Sequence, residues 1–172
     1  MSMRSLIREC VDGGELVRLP PLLPNGTVMR DVFVTHQVDR YLRQAATGLS
    51  PSVLKKAVDT RLALDRFSLG KRQVVRLDPN ADAPSAQLAR NHPTSAGIWE
   101  FRIRDPKPQI RVFGGFALQD TFVALDYRER AGLDFDEAVR NALDLWRHLF
   151  KDHRPVTGEN INDYLSDRYH LV

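Results

Sequence analysis

Basic side chains cluster around one stretch of alternating residues, and their type suits them to bind phosphate. Twenty of the 25 basic residues in the 172-residue chain are arginine, whose planar fork can hold a phosphate with two parallel hydrogen bonds. These groups converge only if their segments form one twisted or curled sheet. The alternative is paired surface charge, because five acids nearly neutralise the same stretch. The arginines are Arg102, Arg104, Arg111, Arg128 and Arg130; the acids are Glu100, Asp105, Asp120, Asp126 and Glu129.

Other reactive residue types give weaker candidates for chemistry. Cys10 is the only cysteine, so an internal disulfide is excluded and a reducing compartment is favoured. His148 and His153, with Asp152, lie across a predicted helix end, five residues apart, which does not match metal-ligand spacing. The acidic run at 134–137 is explained by a helix N-terminus. No P-loop, GxGxxG or GxSxG motif is present, and we expect no metal and no cofactor.

The arginines lie on three predicted strands. Residues 98–104 alternate between apolar and polar side chains, which is typical of a strand with one buried face. Residues 110–117 form a second strand, in which Gly114-Gly115 indicates a bulge or a close backbone approach. Residues 121–127 form a third, apolar on both faces. Short connections make such strands antiparallel neighbours, so the sequence predicts a three-stranded antiparallel β-meander.

Helical patterns lie on both sides of the predicted strands. Apolar spacing predicts helices over 36–47 and 51–68, joined as a helical hairpin, and a third helix over 134–150. The fold class is therefore α+β, with an N-terminal helical hairpin and a C-terminal helix packed on an antiparallel β-meander. Residues 1–172 are expected to form a single domain.

The remaining segments carry weaker patterns. Residues 1–34 read as an N-terminal arm of irregular or short-stranded structure around an Asn25-Gly26 turn, and residues 73–77 as a strand. Residues 78–93 read as a loop with a short helical turn near 86–90. Residues 151–172 form a C-terminal tail with a short helix near 160–164.

Charge and hydropathy limit the location of the protein. The net charge is +3, and the basic excess lies in residues 1–133, whereas residues 134–172 are acidic. No apolar run is long enough to cross a membrane and the N-terminus has no secretory pattern. We expect a cytoplasmic protein with no membrane partner.

Three short segments resemble a known family. They are residues 98–103 (IWEFRI), 110–113 (IRVF) and 122–125 (FVAL), followed by basic residues and an apolar helix. This pattern resembles the RelE/ParE toxin superfamily, and within it the phage-derived HigB-like branch. The resemblance covers residues 36–150, the toxin-like core, by order of elements, but only about 98–150 by residues.

The resemblance implies a metal-independent endoribonuclease that cuts mRNA on the ribosome and is held by an antitoxin protein. In such enzymes the 2′-OH of the RNA attacks the adjacent phosphate, with cations stabilising the charged intermediate. The matching positions assign charge stabilisation to Arg111 and Arg128 and proton transfer to Tyr127. The residues expected to bind RNA are Arg102, Arg104, Lys107 and Arg130.

Two alternatives remain open. The first is a non-catalytic relative of the same fold that binds a protein or RNA, as a phage accessory protein or a gyrase inhibitor would. The second is an unrelated structural protein that self-associates through the edge of the meander. Cleavage, binding without cleavage, and oligomer formation distinguish the three, and binding to RNA would weaken steeply with salt.

Overall fold

A computed structural model describes residues 1–44, 51–105 and 107–172. The described residues form four α-helices and eight strands. In chain order they are α1 (Met3–Asp12), β1 (Leu16–Arg18), β2 (Asp31–Thr35), α2 (His36–Arg43), α3 (Pro51–Ser68), β3 (Gln73–Arg76), β4 (Leu88–Arg90), β5 (Ile98–Ile103), β6 (Ile110–Leu118), β7 (Thr121–Glu129), α4 (Phe135–Phe150) and β8 (Tyr169–Leu171). In the described ranges, none of the helices is long and apolar enough to cross a membrane.

All eight strands belong to one mixed sheet. Their order is β1-β2-β7-β6-β5-β4-β3-β8. The α+β class is confirmed, and β5, β6 and β7 are antiparallel neighbours. They are only the middle of the sheet, however, because β2 pairs with β7, β4 with β3 and β8 with β3 in parallel. Long connections allow these parallel neighbours; those of β2 to β7 and β3 to β8 include helices, whereas β3 and β4 are joined by a loop over residues 77–87. An antiparallel meander therefore describes the sheet incompletely.

The N-terminal arm is more ordered than its sequence suggested. It begins with α1, whose N-cap Ser2 accepts a hydrogen bond from the backbone amide of Ser5. Leu6, Ile7 and Cys10 form the buried stripe of this helix. β1 and β2 then pair antiparallel on either side of the Asn25-Gly26 turn.

Two further segments differ from the sequence-based expectation. The helical turn expected near residues 86–90 is wrong, because this segment forms β4 between β3 and β5. The short helix expected near 160–164 is a 3-10 turn at Ile161–Asp163, and β8 follows it. The end of the helix predicted over 36–47, and its connection to α3, lie outside the described residues.

Helices cover both faces of the sheet. α2 and α3, with the C-terminal tail, enclose one core, and α1 and α4 enclose the other. Trp99, Phe101 and Ile103 enter the first core, as their alternation predicts. Glu100 and Arg102, between them, therefore face the side of the sheet that carries α4. Asp134 caps α4 by accepting from the backbone amide of Glu137, which fixes where that helix begins over the sheet.

Candidate functional site

A polar cleft lies on the α4 side of the sheet, beside the first turns of that helix. Its volume is about 600 Å³, in the range of small-molecule sites. The floor is formed by residues of β3, β5 and β6, one wall by Phe135, Asp136 and Val139, and the other by the loop around residues 79–84. Five arginines line it against the three carboxylates of Asp82, Glu100 and Asp136, which leaves an excess of positive charge. The arginines are Arg76, Arg102, Arg104, Arg111 and Arg130.

Strand register explains why distant arginines meet there. Arg76 is aligned with Ala89, and Ala89 with Glu100, across three neighbouring strands. Arg102 is opposite Arg111 on the next strand. Aligned partners share a face of the sheet, and Ala89, a small buried residue, lies between Arg76 and Glu100. The guanidinium groups therefore gather around one carboxylate.

Glu100 is the centre of this cluster. It is 1% exposed, and its Oε1 accepts a hydrogen bond from Arg102 Nε at 2.7 Å. The same oxygen lies 3.7 Å from Arg111 Nε. Oε2 has no hydrogen-bond partner among the described residues. A buried carboxylate persists only when paired, so Glu100 and its two arginines form one unit with one free acceptor atom.

Three hydrogen-bond donors around the cleft are also unused. Arg76 Nε, Arg111 Nε and Asn91 Nδ2 are buried and make no hydrogen bond to any described residue. Buried donors in native proteins nearly always have a partner. All three residues line one cleft, but these donor atoms are closed off from solvent, so a multivalent acceptor such as a phosphate would satisfy them only after the side chains turn.

The charges around Arg111 also favour binding of an anion in the cleft. Burial lowers the pKa of its guanidinium to about 10, Glu100 opposes this change, and Arg102, Arg130 and Arg104 lower the pKa further. The pKa of Arg76 is also lowered, by burial and then by Arg102. Both groups still carry their charge at neutral pH. Like charges are thus crowded together, and a bound anion would relieve their repulsion.

The loop beside the cleft is held by the arginines themselves. Arg102 Nη1 donates to the carbonyl of Ala83 at 3.1 Å, and Arg104 Nη2 donates to the carbonyl of Ser85 at 3.0 Å. The outer arginines therefore have fixed positions before any ligand arrives. Part of the segment that the sequence predicts as a loop, residues 79–84, thus forms one wall of the site.

The structure brings four of the seven sequence-predicted site residues into the cleft and leaves three outside its lining. Those inside are Arg102, Arg104, Arg111 and Arg130. Arg128 is opposite Arg111 in the sheet but binds Asp126, with Nε 2.7 Å from Oδ2, in a separate depression next to Asn141. Lys107 is exposed in the turn after β5.

Tyr127 lies on the other face of the sheet from the cleft. Its ring stacks on Tyr41 at a centroid distance of 4.0 Å, against the core that α2 and α3 cover. The two-residue alternation of strands explains this position, because Tyr127 and Arg128 are adjacent and point to opposite faces. Tyr127 and Arg111 therefore belong to different surfaces.

Sequence reasoning missed four residues of the site. In the sequence Glu100 reads only as a neutralising charge, and Arg76, Asn91 and His92 lie outside the predicted site. His92 is exposed on the cleft lining, with Nε2 2.9 Å from Asn80 Oδ1. The alternation of 98–104 gave a signal for Glu100, because it places this residue on one face with Arg102. No local pattern marked the other three.

Comparisons with known proteins give no relative. No family model, no curated protein sequence and no solved structure matches the chain. In the part of the chain that the structure describes, no group of three or more His, Cys, Asp or Glu side chains is arranged to hold a metal ion.

Proposed function

We propose that this chain is a metal-independent endoribonuclease that binds a phosphodiester of RNA in the arginine cleft and cleaves it. The observation that carries the proposal is the set of three unused buried donors and one unused carboxylate oxygen around a single cleft lined by five arginines. A phosphate accepts hydrogen bonds from guanidinium groups in the geometry that such donors offer. The family resemblance of residues 98–125 supports the same substrate class.

The residues of the cleft suffice for transfer of the phosphate to the neighbouring hydroxyl. Glu100 Oε2 takes the proton from the 2′-OH as the new bond from O2′ to phosphorus forms. His92, in its protonated form, gives a proton to the 5′-oxygen as the bond from phosphorus to that oxygen breaks. The products are a 2′,3′-cyclic phosphate and a 5′-hydroxyl. The chain thus supplies both a base and an acid, and no further reactant is needed.

The arginines stabilise the charge that develops on the phosphate. Arg111, Arg76 and Asn91 line the cleft, and a turn of each side chain would bring its unused donor to the non-bridging oxygens. Because these groups are largely removed from water, their interaction with the extra negative charge of the transition state is stronger than it would be at the surface. Arg104 and Arg130 add positive potential at the rim of the cleft.

Cleavage of a labelled RNA oligonucleotide in excess EDTA tests the proposal. We expect a product with a 2′,3′-cyclic phosphate, identified by mass spectrometry, and a loss of rate of about 10²-fold or more in Glu100→Gln and His92→Gln. Tyr127→Phe and Arg128→Gln distinguish this site from the one that the resemblance implies, since we expect their rates to stay within a few-fold of the wild type. Arg18→Gln, an exposed change on β1, controls for loss of surface charge.

The opposite pattern would reject the assignment. If Tyr127→Phe and Arg128→Gln abolish cleavage while Glu100→Gln retains it, the reaction occurs elsewhere. If the wild-type protein cleaves only when a divalent metal is present, the mechanism written here is wrong. A folded protein that binds RNA and cleaves none would reject the enzymatic proposal alone.

Binding without cleavage is the second candidate function, and one observation favours it. Glu100 is 1% exposed and its Oε1 is held by two arginines, which limits the approach of a ribose to it. The cleft would then hold a phosphate of an RNA or protein partner and catalyse nothing. In that case Glu100→Gln binds the partner more tightly than the wild type, because a repulsive charge has been removed.

A further inference from the structure

A second basic groove lies along the same flank of α4 as the arginine cleft. It is lined by Leu143, Arg147 and Lys151 from the second half of the helix and its end, and by Arg154 beyond it. The cleft is lined by Asp136 and Val139 from the first half of the helix. These positions recur at intervals of three or four residues, so they form one stripe on one face of α4. The same helical face borders both depressions.

The opposite wall is continuous as well. Asn91 and His92 line the cleft, and Pro93, Ser95 and Ala96 line the second groove. Residues 91–96 thus pass from one depression to the next, although Thr94 lines neither of the two. The cleft and the groove share no lining residue, but they follow one another along the same helix, which is about 24 Å long at 1.5 Å per residue.

The charges of the second groove match those of a phosphate chain. Arg147, Lys151 and Arg154 are exposed there, against one carboxylate, Asp152. Arg147 has a partner in Asp144 at 3.2 Å, but that pair is solvent-exposed on both sides, so it is weak and exchangeable. Trp146 is buried, with its indole N–H bonded to the carbonyl of His153, so it offers no stacking surface to a base. Contact with the backbone of a nucleic acid is what this groove can provide.

We propose that a single-stranded RNA whose phosphate occupies the arginine cleft continues along α4 and binds Arg147, Lys151 and Arg154 through its next phosphates. The inference rests on the proposed function, since it takes the ligand of the cleft to be RNA. A single strand is required because Arg111 is only 6% exposed, and a phosphate on the outside of a duplex cannot enter so deep a site. Since the groove contacts phosphates and no bases, binding along it is independent of sequence.

The test uses RNA that cannot be cleaved. A fluorescein-labelled 12-nucleotide 2′-O-methyl RNA lacks the attacking hydroxyl, and its binding is followed by anisotropy between 50 and 300 mM salt. The variant is Arg147→Gln/Lys151→Gln/Arg154→Gln. We expect its affinity to fall and its slope of log K against log salt to be smaller by about 2, since each lost phosphate contact contributes about 0.7 for a single strand. A 3-nucleotide 2′-O-methyl RNA, which fills only the cleft, should bind both proteins equally.

A matched control removes the same number of charges elsewhere. Arg18→Gln/Arg43→Gln/Lys55→Gln changes three exposed cations whose side chains are 59%, 73% and 57% exposed. We expect its salt slope to equal that of the wild type. An equal loss of slope in this control, or an unchanged slope in the groove variant, would overturn the inference.

The outcomes also separate this inference from the proposed function. If the wild-type protein cleaves RNA and the salt slope of the groove variant is unchanged, the enzymatic proposal stands and the RNA path along α4 is rejected. If the wild-type protein cleaves no RNA, and the salt slope is reduced by about 2 in the groove variant but not in the control, the enzymatic proposal is rejected and the RNA path along α4 is supported.

Discussion

Replacing Glu100 by glutamine should change the stability of the protein and its affinity for anions in opposite directions. The substitution keeps the shape of the side chain and an oxygen that can accept from Arg102, but removes the negative charge. Arg102 and Arg111 then lose the carboxylate that neutralises them at 2.7 and 3.7 Å. No other single change in the cleft separates the two effects so well.

The size of the stability effect follows from burial. Removing one partner of a buried ion pair costs roughly 3–5 kcal/mol, and we expect the lower end because the amide oxygen keeps one hydrogen bond. For a domain of this size, 1 kcal/mol corresponds to about 2–4 °C in Tm. The Tm of Glu100→Gln without ligand should therefore lie about 6–12 °C below that of the wild type.

The effect on anion binding comes from Coulomb repulsion. A phosphate about 5 Å from the carboxylate is repelled by about 3 kcal/mol at an effective dielectric constant of 20. Water in the cleft reduces this, and 1.4 kcal/mol already corresponds to tenfold in affinity. We expect inorganic phosphate to bind Glu100→Gln at least about tenfold more tightly, which appears as a larger rise of Tm at the same phosphate concentration.

Thermal unfolding followed by circular dichroism, with and without phosphate, measures both quantities in one protein sample. Glu129→Gln is the matched control, because Glu129 is an exposed carboxylate at the end of β7 and its loss should change neither quantity. If Glu100→Gln has the Tm of the wild type and the same response to phosphate, the cleft is not organised by this carboxylate. In that case the reasoning from its contacts fails.

Three further changes test other parts of the fold. Arg30 is buried and donates to backbone carbonyls at the end of α3 and in the C-terminal tail. Arg30→Met should therefore lower the free energy of unfolding, measured by urea titration, by roughly 3–5 kcal/mol. A loss below about 1 kcal/mol would contradict this prediction. Gly114→Ala should be destabilising by at least about 2 kcal/mol, because its Cβ would clash with the carbonyl oxygen of Val123; wild-type stability would show that the strands can part there. Burial raises the pKa of the Cys10 thiol to about 11. At pH 8 its reaction with a disulfide reagent should therefore be at least about 100-fold slower than in urea-unfolded protein, and the reaction should accelerate as the pH rises. Equal rates in folded and unfolded protein would mean that α1 opens readily.

The central strands could be predicted from sequence because their signal is local. Alternation over residues 98–104 placed Trp99 and Phe101 on one face and Glu100 and Arg102 on the other, and the structure keeps that division of faces, although Glu100 is buried as well. Gly114 was identified as a bulge or close approach, and the register shifts beside it. These features depend on neighbours a few residues away.

The missed elements had non-local causes, with one exception. β4 has three residues in a proline-rich segment, and it is a strand because β3 and β5 pair with it from both sides. α1 is the exception: Ser2 is an N-cap, and Leu6, Ile7 and Cys10 recur at helical spacing, so the sequence contained its signal.

The site could be predicted only in part for the same reason. Arg102 and Arg111 sit on adjacent predicted strands, so their meeting followed from the meander. Arg76 and His92 come from segments whose place depends on the parallel pairing of β3 and β4. Tyr127 and Arg128 could have been assigned to opposite faces by their adjacency alone.

The short outer strands of the sheet have a consequence for how the protein meets other chains. β1 and β8 are the two edges, and each is three residues long. The strands of the meander have neighbouring strands on both sides within the chain, although β2 pairs only with residues 121–124 of β7. Short edges present few free backbone groups, which protects a large sheet against edge-to-edge aggregation. Association through an added strand is therefore disfavoured at β1 and β8, and we expect a complex to use mainly side-chain surfaces.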